Sequence, residues 1–179
     1  MADLSTVAST KRGENCSFWW LLRRAGTALL LILLAGLQSA FASDEIEALL
    51  SRDEAPYGIV FEIVEGDEAA LTELLPRVRS AIQKIRARFP QTEFAVVSHG
   101  REEFALQSQY RDEYAELHQQ VRSMVSDDVP VHVCETHAGW YGVSAEDFPD
   151  YVDVAPSGPA QVAAYREMGY ALIVIKSSN

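Results

Sequence analysis

Val129-Pro-Val-His-Val-Cys134-Glu-Thr-His-Ala-Gly-Trp-Tyr-Gly-Val-Ser-Ala-Glu-Asp-Phe148 is the stretch whose reading decides the fold. A short apolar run ends in a cysteine, and a polar, Gly-containing segment that reads as the start of a helix follows at once. That is the sequence form of a strand whose carboxyl end delivers a thiol to the rim of a parallel sheet, where ligands and chemistry in open α/β sheets collect.

The flanking pattern agrees. Tyr57–Val64, Glu93–Ser98, Val131–Cys134, Tyr151–Val154 and Tyr170–Ile175 read as five strands, mostly apolar and β-branched, as expected where helices cover both faces. Leu71, Leu74, Leu75, Val78, Ile82, Ile85 and Phe89 recur at threes and fours, which predicts a helix from Glu68 to Phe89. Asp67 is its expected cap and Pro90 its stop; Pro76 is an interior blemish that should kink or divide it. Further helices are expected over Asp112–Val125 and from Ser157-Gly-Pro159 to Met168, the latter closed by Gly169. Arg101–Tyr110 reads as a connection or short helix, and Ser43–Pro56 as a linker or frayed helix. Alternating strands and helices imply an α/β fold: a three-layer α/β/α domain with a mainly parallel five-stranded sheet.

Composition narrows the function. Hydrophobic residues make up 48% of the 179 and charged residues 23%, which are globular values, and no repeat stands out. The formal net charge is -11, so a phosphate backbone would be repelled and nucleic acid is not an expected partner. Residues 1–42 read as a secretory signal: Lys11, Arg12, Arg23 and Arg24 form a basic region, Thr27–Leu37 an apolar run, and Ala40-Phe-Ala42 a cleavage site. The apolar run is short for a bilayer span, which needs about 20 residues, although Phe18-Trp-Trp-Leu-Leu could extend it into an anchor but for the interrupting Arg23-Arg24. Cleavage after Ala42 predicts a periplasmic or secreted protein with no stable membrane insertion. It leaves 11 basic against 24 acidic residues and removes Cys16, so Cys134 stays alone. A lone cysteine in an oxidising compartment is either buried and inert or a free reactive thiol.

Cys134 is the first candidate site residue. At a strand end facing a helix N-terminus, backbone N–H groups favour the thiolate, as a nucleophile or persulfide carrier requires. His137, three residues on, is the second: one helical turn could bring its imidazole near the sulfur as base or cationic partner. Glu135 opposes this, because a carboxylate raises a thiol pKa. The competing reading is that Cys134 only packs. His99 ends another strand, and His132 shares the cysteine's face of its strand. Zinc on Cys134, His132, His137 and His99 lacks ligand spacing, so no metal is expected. Trp140 and Tyr141 could wall a pocket or interface, or pack in the core. Ser157-Gly158 could hold an anion or cap a helix. No dinucleotide, Walker or nucleophile-elbow motif appears, so no cofactor is expected.

Val131-His-Val-Cys134, Gly142-Val-Ser-Ala-Glu-Asp-Phe148, Val154-Ala-Pro-Ser-Gly158 and Gly169-Tyr-Ala-Leu-Ile173 together resemble the DsrE/DsrF-like family, whose members include sulfur-relay proteins of the TusD type and small proteins of the YchN type. The resemblance spans about Tyr57 to Ile175. It implies a compact α/β/α domain, often a homo-oligomer, with a thiol that accepts sulfane sulfur as a persulfide, a role that falls on Cys134. A partner thiol protein or a small sulfane-sulfur donor is the implied partner. Two departures stand out: Glu135 occupies a position commonly small in the family, and export separates this chain from cytoplasmic relay partners. A non-catalytic binding or oligomerisation module of the same fold is the alternative.

Overall fold

The computed structural model describes residues 40–177, so the expected signal segment lies largely outside the described residues. The chain runs through α1 (Ala40–Leu50), β1 (Gly58–Ile63), α2 (Ala70–Arg88), β2 (Glu93–Ser98), two 3-10 turns (Arg101–Leu106 and Ser108–Tyr110) and α3 (Ala115–Ser126). It continues through β3 (Val131–Cys134), α4 (Glu135–Trp140), a 3-10 turn (Ala145–Asp147), β4 (Asp153–Ala155), α5 (Gly158–Glu167) and β5 (Tyr170–Ile175). The five strands form one sheet in the order β4-β3-β2-β1-β5, and every pairing is parallel. Helices lie on both faces, so the fold is the expected three-layer α/β/α.

Alternation along the strands sorts the core. Ile59, Phe61, Ile63, Phe94, Val96, Val131 and Val133 point to one face, where they pack with Leu71, Leu74, Leu75, Val78 and Ile85 of α2 and Leu117 and Val121 of α3. We call this face A. Each such side chain, sealed from water, contributes about 1.5–3 kcal/mol of transfer free energy. Val60, Ala95 and Val97 point to face B and meet Val162 and Tyr165 of α5. Face B has the smaller of the two cores because α5 serves β1, β2, β3 and β5 at once. Leu172 and Val174 of β5 are only half-buried there.

This division follows from the handedness of parallel crossovers. From β1 to β3 the chain moves in one direction across the sheet, so right-handed connections keep α2 and α3 on face A. The β4-to-β5 connection runs back across the whole sheet, and the same hand places α5 on face B. The reversal falls between β3 and β4.

Three local outcomes refine the sequence reading. Pro76 does not divide α2. It and Thr72, whose carbonyl loses an N–H partner to the proline, are both exposed, so water can take the carbonyl. Asp67 acts two residues early: its Oδ1 accepts from Ala69 N–H at 3.0 Å, and α2 opens without a side-chain cap. The stretch read as a linker or frayed helix is helical up to Leu50, and Leu49 is buried in the face A core.

Candidate functional site

In an open α/β sheet the crevice opens where adjacent strands send their connections to opposite faces. Here those strands are β3 and β4. Cys134 is the last residue of β3, directly paired with Ala155 at the end of β4. From Cys134 the chain enters α4, whose Ala138 packs into the face A core. From Ala155 it enters α5 on face B. The switch point therefore has Cys134 at one of its two strand ends.

Cys134 is the N-cap of α4, and its Sγ accepts from the His137 backbone N–H at 3.3 Å. The expected one-turn spacing does bring His137 to the cysteine, but that hydrogen bond runs through the backbone. The imidazole is engaged elsewhere: Nδ1 lies 2.8 Å from Glu103 Oε1. The other oxygen of Glu103 accepts from Cys134 N–H at 2.8 Å. One fully buried carboxyl thus ties together the backbone of the cysteine and the ring of the histidine. Burial pushes the Glu103 carboxyl up to about 7, although both hydrogen bonds work against the rise. The ring of His137 is stacked on Phe104 at 5.5 Å, lies edge-on to Trp140 and is tilted against Tyr141. Those two aromatics are 75% and 55% exposed, so they wall the site rather than fill the core.

Cys134 itself is 3% exposed. A polar bridge joins the segments that follow the two strand ends: Thr136 Oγ1 donates to Pro156 O at 2.6 Å and Thr136 N–H to the same oxygen at 3.3 Å. Sγ belongs to neither apolar core.

The other candidates are held apart. His132 lies on face B, as alternation requires, with Nε2 2.8 Å from Tyr165 Oη; burial pulls its imidazole below the usual histidine range. His99 lies against Glu62, Nε2 to Oε1 2.8 Å. The four proposed zinc donors are therefore each engaged separately. Among the described residues no group of three or more His, Cys, Asp or Glu is placed to hold a metal ion. Ser157 makes no capping bond from its side chain, and Gly158 lies so close to His99 that a Cβ would strike the His99 side chain.

Glu102 and Glu103 were not legible as site residues. Both are fully buried in the 3-10 turn after β2, a segment that reads only as a connection. Glu102 is structural: its oxygens accept from Glu65 N–H at 2.6 Å, Ser98 Oγ at 2.7 Å and Gly100 N–H at 3.0 Å. The available signal was two adjacent carboxylates, one residue after a strand-end His-Gly and followed by the apolar Phe-Ala-Leu.

No family model matches the chain, and no curated protein matches it. Among solved structures it is similar to MTH1491, a protein of unknown function from Methanobacterium thermoautotrophicum, at 25% identity and a TM-score of 0.54. That match covers 66% of this chain and 98% of the other. A likeness of this size supports the α/β fold and brings no activity with it.

Proposed function

We propose that the protein is an exported, DsrE-like sulfur handler in which Cys134 carries sulfane sulfur as a persulfide. The observation that carries this reading is the place of the thiol: the topological switch point between β3 and β4, at the cap of α4, with the Glu103–His137 pair fixed beside it. As the thiolate, Cys134 attacks the outer sulfur of a donor R–S–SH. The donor S–S bond breaks, its electron pair leaves with R–S⁻, and Cys134–S–SH remains. No net oxidation occurs. The Glu103–His137 pair accepts the thiol proton, and R–S⁻ ends as R–SH. A partner thiol then reverses the exchange. Outside the cytoplasm the acceptor is a protein or small thiol of that compartment. The resemblance also carries a homo-oligomer, which the half-buried Leu172 and Val174 on face B support and light scattering would test.

The second reading, a non-catalytic binding module, is favoured by one observation: Cys134 is 3% exposed. Intact mass after polysulfide treatment separates the two, with Cys16→Ser in every protein so that one thiol is scored. The carrier reading expects one added sulfur mass, lost in Cys134→Ser. No adduct in either protein supports the module.

A further inference from the structure

The two edges of the sheet differ in kind. β4 is short, carries the exposed Asp153 and runs into Pro156, three devices that keep another strand from pairing there. β5 is Tyr170-Ala-Leu-Ile-Val-Ile175, with no charge and no proline. It pairs with β1 on one side, and among the described residues no strand pairs with its outer side. Ala171, Ile173 and Ile175 point to face A, where α1 reaches β5. Tyr170, Leu172 and Val174 point to face B and are all half-buried. Tyr57, whose ring meets that of Tyr170 at 5.7 Å, and Met168, two residues before it, are exposed. An apolar strand with a free row of N–H and C=O groups is a template for another strand.

The charges at its ends say which strand. The first charged residue before β5 is Glu167 and the first after it is Lys176, both exposed. Glu93, which accepts from Tyr170 Oη, adds a carboxylate at the first end, and Arg77, which donates to Lys176 O at 2.8 Å, adds a cation at the second. Arg166 and Glu65 reduce this polarity and leave its sign. A strand negative at its start and positive at its end complements a copy of itself that runs antiparallel, and repels one that runs parallel.

We propose that the outer edge of β5 binds β5 of a second copy about a two-fold axis, so that one continuous sheet crosses the dimer. This names the partner in the homo-oligomer reading above and rests on that reading, independently of the persulfide chemistry. The axis stands perpendicular to the sheet, so face B of one copy continues as face B of the other. Residues opposite one another in an antiparallel pair share a face, so the axis passes through a residue. Centred on Leu172, the seam joins Leu172 to its own copy and Tyr170 to the partner's Val174. It sets Lys176 opposite the partner's Met168, next to the partner's Glu167. Within one chain Glu167 and Lys176 stand at opposite ends of β5, about 20 Å or more apart, so they meet only across the seam.

Sedimentation velocity of the full chain with Cys16→Ser, over a range of concentrations, tests this. The parent is expected to form a dimer, or a larger assembly with an even number of chains. Val174→Lys puts a charge on the seam at a position outside both apolar cores, and should weaken association by about tenfold or more with an unchanged circular dichroism spectrum. Glu167→Lys and Lys176→Glu should each weaken it by about threefold or more at low salt, and the double reversal should return it to within about twofold of the parent. A monomeric parent overturns the homo-oligomer reading and the inference together. An odd-numbered assembly, association that survives Val174→Lys, or a double reversal that restores nothing overturns the inference and leaves the homo-oligomer. The two exposed charge positions keep the test decisive if Val174→Lys does not fold.

Discussion

Glu103 has two obligations that conflict. Its oxygens satisfy Cys134 N–H and His137 Nδ1, which favours the carboxylate, while complete burial favours the acid and wins, to about 7. A carboxyl raised in the folded state stabilises the fold below its unfolded value. That contribution is lost as pH rises from 4.5 through about 7. Glu103→Gln removes the titration and one good acceptor. The variant should be less stable by about 1–3 kcal/mol at pH 5, and its deficit should shrink toward pH 7, read by urea denaturation at the two pH values. A deficit that grows with pH would mean that the carboxyl is held ionised. The residue was invisible in sequence because its role depends on a turn whose backbone path no periodicity announces. Cys134 and His137 were visible because a strand end and one helical turn are enough to place them.

At the scale of elements, the N-terminus of α4 and the lead-in to α5 meet at Thr136 and Pro156. This bridge joins the segments that leave the paired strand ends Cys134 and Ala155, so loosening it is expected to expose the sulfur. A side-chain hydrogen bond is worth about 0.5–1.5 kcal/mol, so Thr136→Ala should speed iodoacetamide alkylation of Cys134 by roughly two- to tenfold. An unchanged rate would place the access path elsewhere. The same scale shows why element type was legible and some details were not. β2, β3 and β5 fall where their apolar runs predict, because strands covered on both sides must be continuously apolar. That α2 runs undivided through Pro76 was not legible because the sequence does not show that its ring faces solvent, where a lost helical bond is cheapest. Pro76→Ala restores that bond and should raise the melting temperature of the full chain; a fall would show that the proline acts chiefly by restricting the unfolded state.

For the whole molecule, acid stability is a contest between groups of opposite sign. His118 is fully buried, with Nε2 3.0 Å from Ala105 O and Nδ1 2.6 Å from Tyr151 Oη. The carbonyl needs a donor, so Nε2 carries the proton and Nδ1 accepts from the tyrosine. Burial holds both His118 and His132 below the ordinary value of 6.5, so each binds its proton more readily in the unfolded chain. Stability from these two is present above pH 6.5 and falls as the pH drops below it. Glu103 acts the other way over part of the same window. His118→Asn should therefore be less stable than the parent at pH 7.5 and lose less on going to pH 5.5. A parallel loss in both proteins would show that His118 does not titrate with unfolding.

The layers, the parallel sheet and the strand bearing Cys134 could be read from residue order because right-handed crossovers leave few alternatives. The switch between β3 and β4 could not, since strand order is not written in local pattern. That switch is what sets the strand-end cysteine at the point where neighbouring connections part to opposite faces. The direct test of its role is a charge-and-discharge experiment followed by intact mass. The Cys16→Ser chain is treated with glutathione persulfide, freed of donor, and mixed with an acceptor thiol. The account predicts a gain of one sulfur mass at Cys134, then its loss with appearance of the acceptor persulfide. A chain that never gains the mass, or gains it equally with Cys134→Ser, contradicts it.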